Sequence, residues 1–142
     1  MFLRLVASGA FVAVILMCGS AFAQNDPQVD CDNAETQPDL NVCSQRAYDT
    51  ADKALNEQYK KTRAAMVAID DDLDADLKGA EKELLKAQRA WLDYRDGQCE
   101  AEGFQAAGGS LRPMLVTGCK ATLTKARTKE LKALADGLEG AQ

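Results

Sequence analysis

The sequence predicts an all-α fold: an antiparallel three-helix bundle with two disulfides and an extended N-terminal lead-in. Three observations carry that expectation. Apolar and small residues recur in steps of three and four along three separate stretches, no segment alternates polar and apolar over strand length, and the cysteines become an even set once a leader is set aside. The chain divides into a signal peptide over 1–23, a lead-in over 24–37, a helical domain over 38–137 and a short tail over 138–142.

The leader comes first. Arg4 and the amino terminus supply positive charge, Ala10 to Cys18 is apolar, and Ala21-Phe22-Ala23 has the small-x-small form that signal peptidase reads. The apolar run falls short of the roughly 20 residues that a spanning helix needs. Cys18 also offers a lipidation thiol, but bulky Met17 precedes it, where such a site wants a small residue. Membrane contact is therefore expected only through an uncleaved signal or a lipid anchor of that kind, and the protein is expected to be periplasmic or secreted.

Past the leader remain Cys31, Cys43, Cys99 and Cys119. An even set in an exported domain implies an oxidising compartment and two disulfides. A four-thiolate zinc site is the competing reading, and it lacks the C-x2-C knuckle such sites use.

Gln24 to Gln37 is polar and aperiodic, so it forms the lead-in. Pro38-Asp39 then starts helix one, because Pro is tolerated and acid favoured in a first turn. Its stripe runs Cys43, Ala47, Ala51, Ala54, Leu55, Tyr59, Thr62, Met66 and Ile69. Asp70-Asp71-Asp72 breaks the pattern, and helix two is expected from Leu73 through Leu77, Ala80, Leu84, Ala87 and Trp91 to about Glu102. Gly103 and Gly108-Gly109 interrupt it. Ser110 or the residues just after it cap helix three, with Pro113 in the first turn and a stripe of Leu115, Cys119, Leu123, Ala126, Leu131, Leu134 and Leu138. Short links make the bundle antiparallel, Ala-rich faces imply close helix approach, and Tyr48, Tyr59, Met66, Leu84, Trp91 and Tyr94 fill the wider layers. All four cysteines then lie at one end. More than one pairing is possible there, and local geometry favours Cys31 with Cys43 and Cys99 with Cys119.

Composition excludes much. The chain has no His, which removes Ser-His-Asp triads, Cys-His pairs and His-ligated metals. No catalytic residue, metal site or cofactor is expected. Net charge is −5 with 17 Lys+Arg against 22 Asp+Glu, and loss of the leader takes Arg4 with it and leaves −6. That balance, with no basic stripe, disfavours nucleic acid and favours a basic protein partner.

Three segments are candidates for function. Asp70 to Glu81 can be laid over a calcium loop, with Asp70, Asp72, Asp74 and Glu81 at ligand positions, but Ala75 stands where the turn needs Gly. The simpler reading is a turn with helix-capping acids. Gln88 to Asp96 gathers Trp91, Tyr94 and Arg95, residue types that dominate binding hot spots. Structurally, Trp91 continues the core stripe and Arg95 is placed to pair with a carboxylate such as Asp52. The Gly-rich segment Gly103 to Arg112 carries Phe104, Ser110 and Arg112 and is expected to be a flexible or protruding loop held at its base by Cys99 and Cys119. Tyr94, Arg95, Phe104, Ser110 and Arg112 are the candidate partner contacts.

One combination is specific. Asp30-Cys31, Cys43, Tyr48, Asp52, Leu55-Asn56 and Tyr59, then Gln88-Arg89-Ala90-Trp91, Tyr94-Arg95-Asp96 and Cys99, then Cys119, Thr124 and Arg127, together resemble the LprI-type lysozyme-inhibitor family over Asp30 to about Leu134. The resemblance implies a small helical disulfide-bonded domain outside the bacterial cytoplasm. It also implies a binding role, with lysozyme or another basic protein as the partner, and a structural motif of Tyr48, Asp52, Asn56, Tyr59, Gln88, Trp91 and Arg127. Two alternatives stand beside it: an envelope interaction module with another protein partner, and a calcium-stabilised structural domain.

Overall fold

A computed structural model describes residues 29–140, so the expected signal peptide and the first part of the lead-in lie outside the described residues. Three α-helices follow in order: α1 Gln37–Asp72, α2 Ala80–Gly103 and α3 Arg112–Glu139, with a single 3-10 turn at Phe104–Ala106 between the last two. The described residues contain no strand.

Helix α1 begins where Thr36 caps it. The Thr36 hydroxyl accepts from the Asp39 backbone N–H, Pro38 occupies the first turn, and Asp39 adds favourable charge there. Its 36 residues span about 54 Å. The helix runs through the three aspartates and does not stop at them, contrary to the sequence expectation. Helix α2 correspondingly starts at Ala80, seven residues later than Leu73. The cause is a cap supplied from a distance. Gly79 precedes α2 with φ +152°, which suits glycine, and it has no side chain with which to cap. The Asp70 carboxylate on α1 takes over, accepting from the N–H groups of Gly79 at 2.7 Å, Ala80 at 2.9 Å and Glu81 at 3.0 Å. Those three hydrogen bonds hold its pKa below the ordinary value. Leu73 and Leu77 therefore sit in the connecting turn, Leu77 largely exposed.

The cross-contacts give the topology. Ser44 meets Thr117 and, farther along, the Thr62 hydroxyl donates to the Leu131 carbonyl at 2.9 Å, so α1 and α3 run parallel. Arg95 of α2 reaches back to Asp52 and Arg63 of α1 forward to Glu81, so α2 is antiparallel to both. The up-down-up bundle is as predicted. The most extensive interface is α1 against α3.

The core is thin. Leu55, Met66, Leu84 and Leu131 form its centre, with Tyr59, Ala80, Trp91 and Leu138 packed against it. Ala51, Cys99, Val116, Ala121 and Ala135 extend it, and Thr62 and Thr124 are fully buried within it. Several expected stripe positions are exposed: Ala47, Ala54, Ala87, Ala126 and Leu134. On α3 the buried line is Val116, Ala121, Thr124, Leu131 and Ala135, rotated from the predicted Leu line because the α1 interface selects small residues that let the two parallel helices approach. Leu138 lies in the helix and packs on the core, so the ordered domain reaches past 137.

Both predicted disulfides are present, Cys31–Cys43 and Cys99–Cys119, with Cα separations of 5.5 and 5.4 Å. The first ties the lead-in to α1, where the Arg46 guanidinium also donates to the Val29 carbonyl at 2.8 Å. The second, with Cys99 fully buried, joins α2 to α3.

Candidate interaction site

Two neighbouring features gather the candidate residues. The first is an interior ladder built around Arg95. Its side chain is only 7% exposed. The guanidinium lies 5.4 Å from the Tyr48 ring centre and 5.3 Å from that of Trp91, so it stacks between aromatic faces from α1 and α2. It donates to Asp96 at 2.9 Å and approaches Asp52 at 3.4 Å. Lys120 of α3 closes on Asp96 at 3.4 Å, and Arg127 lies 6.0 Å from the Trp91 ring while donating to the Gln88 amide oxygen at 3.1 Å. Asn56 donates to Asp52 at 2.9 Å.

This ladder unites Tyr48, Asp52, Asn56, Gln88, Trp91, Arg95 and Arg127, and Tyr59 packs beside it on the core. Sequence reading missed Asp96 and Lys120 as members. Asp96 adjoins Arg95 in the chain and so carried a signal, whereas Lys120 is placed only by the docking of α3. Burial raises the Asp96 pKa, but the hydrogen bond and charge of Arg95 and then Lys120 outweigh it and hold the carboxyl below its usual range. Burial pushes the Tyr48 phenol up, with Arg95 opposing and Asp52, Asp96 and Asp49 adding. Arg95 is therefore buried as an internal brace between α1 and α2.

The second feature is the cap at the disulfide end. Gly103 ends α2 against α3 so closely that a Cβ there would stand 2.5 Å from Val116 Cγ2. The chain then makes the 3-10 turn and two further turns, with Ala107 N–H on Phe104 O at 3.1 Å and Gly109 N–H on Ala106 O at 2.9 Å. Asn41 of α1 donates to the Ser110 carbonyl at 3.1 Å. The segment is thus anchored by Cys99–Cys119, by the Gly103–Val116 approach and by Asn41, and the loose Gly-rich loop expected from sequence is in fact a braced cap. Ser110 does not cap α3: the residue before the helix is Leu111, with no side-chain bond to its N–H groups. Phe104 is 69% exposed and Leu111 37%. Arg112 lies 5.5 Å from the Phe104 ring centre and pairs with Glu100 at 2.7 Å. Tyr94, expected to fill a core layer as well as to touch a partner, is 56% exposed on the outer face of α2.

Neither feature holds a metal constellation. Among the described residues no group of three or more Cys, Asp or Glu side chains is arranged to bind an ion, and Asp70, the first ligand of the calcium reading, is committed to backbone N–H groups. No described helix is long and apolar enough to cross a membrane.

Residues 30–131 match the family described as lysozyme inhibitor LprI. The chain belongs to that family. It is also 47% identical over 136 residues to an uncharacterized protein of Rhizobium meliloti (strain 1021), an alignment covering 94% of this chain and 98% of the relative. No solved structure matches it. The matched span of the LprI family contains both disulfides, the Arg95 ladder and the cap. LprI inhibitors are, as a kind, binding proteins and not catalysts, and the family together with the two disulfides suggests a protein that works outside the cytoplasm.

Proposed function

We propose that this LprI-family protein is a periplasmic inhibitor that binds lysozyme and occludes its cleft without chemistry of its own. The observation that carries the reading is the braced cap: Phe104 and Leu111 stand exposed, with half-buried Arg112 beside them, on a segment tied at three points to all three helices. A contact surface ordered before binding loses little conformational freedom on association. Arg112, stacked on Phe104, also has the chemistry to enter a glycosidase cleft, where a pair of carboxylates does the catalysis.

Charge supports the same partner. The exported chain carries −6, c-type lysozymes are basic, and opposite potentials speed encounter. In this reading Phe104, Ser110 and Arg112 make the contact, and Arg95 acts through the helices it braces. A cell-wall lysis assay with the exported protein in molar excess over c-type and other lysozymes tests it. Lysis by at least one class is expected to be suppressed, and Phe104→Ala or Arg112→Ala is expected to raise the half-inhibiting concentration about 10-fold. Undiminished lysis by every class would overturn the proposal.

A further inference from the structure

We propose that the outer face of α2 pairs two copies of this chain, helix against antiparallel helix, about a two-fold axis. Ala87, Ala90, Tyr94, Gly97 and Ala101 follow one another at spacings of 3, 4, 3 and 4, the seam of a two-helix coil, and every one of them is exposed. The 56% exposure of Tyr94 places a large amphipathic ring in the middle of that seam, with small residues around it.

Gly97 is the second observation. A glycine inside a helix weakens it, and this one meets no atom within 4 Å of where its Cβ would stand, so packing within the chain does not call for it. The bare position leaves room for close approach of another backbone. Reversing a second copy so that Ala90 faces Tyr94 sets Ala87 against Gly97, each large or bare position meeting a fitting one.

Charge selects a second copy over a foreign helix. Along one flank of the seam run Lys82, Lys86 and Arg89, followed by Asp93, Asp96 and Glu100, three positive positions and then three negative. In an antiparallel pair of like helices the same flanks meet, so the positive half of this ridge lies along the negative half of the second copy's: the register above brings Lys86 within two residues of Asp96 and of Glu100, Lys82 within two of Glu100, and Arg89 within two of Asp93, which also nears its own counterpart across the axis. Asp96 and Glu100 are half-exposed beyond their bonds to Arg95 and Lys120 and to Arg112, and among the described residues Lys86 pairs with exposed Glu83. A foreign basic helix would meet its own sign over half the ridge.

In that register the seams face each other from Ala87 to Gly97, about 16 Å, which as a single helix pair lies at the low end of specific interfaces, so the dimer is reversible. It does not depend on lysozyme binding. Sedimentation velocity on the exported protein between about 5 µM and 1 mM is expected to show a monomer–dimer equilibrium. Ala90→Glu is expected to raise the dimer dissociation constant at least about 10-fold, Arg89→Asp to raise it about 5-fold, and Arg89→Asp with Asp93→Arg to restore it. Circular dichroism should report an unchanged helix content in each variant, as these side chains are solvent-exposed. A monomer throughout, or a dimer indifferent to Ala90→Glu, would overturn the proposal, and failure of the double swap to restore pairing would overturn the antiparallel register. Lysis assays on Ala90→Glu separate the two proposals, because lysozyme inhibition should persist in the monomer.

Discussion

Replacing Arg95 by Ala should be the most damaging single change in the α1–α2 interface. The side chain is 7% exposed, so truncation removes its buried stem, its stacking on Tyr48 and Trp91, and the counter-charge for Asp52 and Asp96. Two largely desolvated cation–ring contacts contribute about 1 kcal/mol each. The carboxylates are 38% and 50% exposed, so their pairs add at most about 1 kcal/mol together. The void left by the stem adds about 1 kcal/mol more. The total is about 3–4 kcal/mol, which for a domain of this size lowers the melting temperature by roughly 10–20 °C. Arg95→Lys keeps the charge and loses the planar stacking, so about half the effect is expected. Arg95→Met keeps the stem and loses the charge. The ring contacts and the ion pairs all need the cation, so about 3 kcal/mol of the loss should remain in Arg95→Met, more than in Arg95→Lys. Calorimetric melts of the oxidised protein at pH 7 decide the matter. A loss below about 1 kcal/mol for Arg95→Ala, or Arg95→Met milder than Arg95→Lys, would refute the reasoning.

Further outcomes follow from other contacts. Gly103→Ala sets a Cβ against Val116, a side chain stiff at χ1, so overpacking should outweigh the helix propensity gained and cost about 1 kcal/mol in denaturant titration, with Val116→Ala relieving the clash in the double variant. The Thr124 hydroxyl is fully buried and has no hydrogen-bond partner among the described residues, so Thr124→Val should leave stability unchanged or raise it by up to about 1 kcal/mol in calorimetric melts. Removing the Cys99–Cys119 bridge, which closes the ring holding the cap, should cost about 3 kcal/mol and abolish lysozyme inhibition, whereas removing Cys31–Cys43 should cost a similar amount of stability and spare inhibition. Because Asp96 titrates lower folded than unfolded, its contribution is present above about pH 4 and is lost as pH falls through its depressed folded value. Asp96→Asn should therefore flatten the acid limb of a stability–pH curve while leaving its shape above pH 5 unchanged.

The helix count, the parallel placement of α1 and α3 and both disulfides were legible in the sequence. Three amphipathic periods with short links admit few arrangements, and four cysteines at one end favour local pairing. The Arg95–Asp52 pair was legible too, since a charged residue on a core stripe requires a partner. The α2 start was not. Asp70 reads as a breaker in one dimension, and its role as a cap depends on α1 and α2 meeting end to end across residues 73–79. Nor was the phase of α3, where small buried residues won over leucines because α1 lies so close.

What the amino-acid sequence determined by itself is which segments are helical, which thiols are available and that the surface is acidic, because periodicity, spacing and charge are local properties of the chain. Tertiary structure alone decided which face of each helix is covered. It turned Arg95 inward between Tyr48 and Trp91, braced the segment that carries Phe104 and Arg112, and left Tyr94 outside, since each placement depends on the approach of residues distant in the chain.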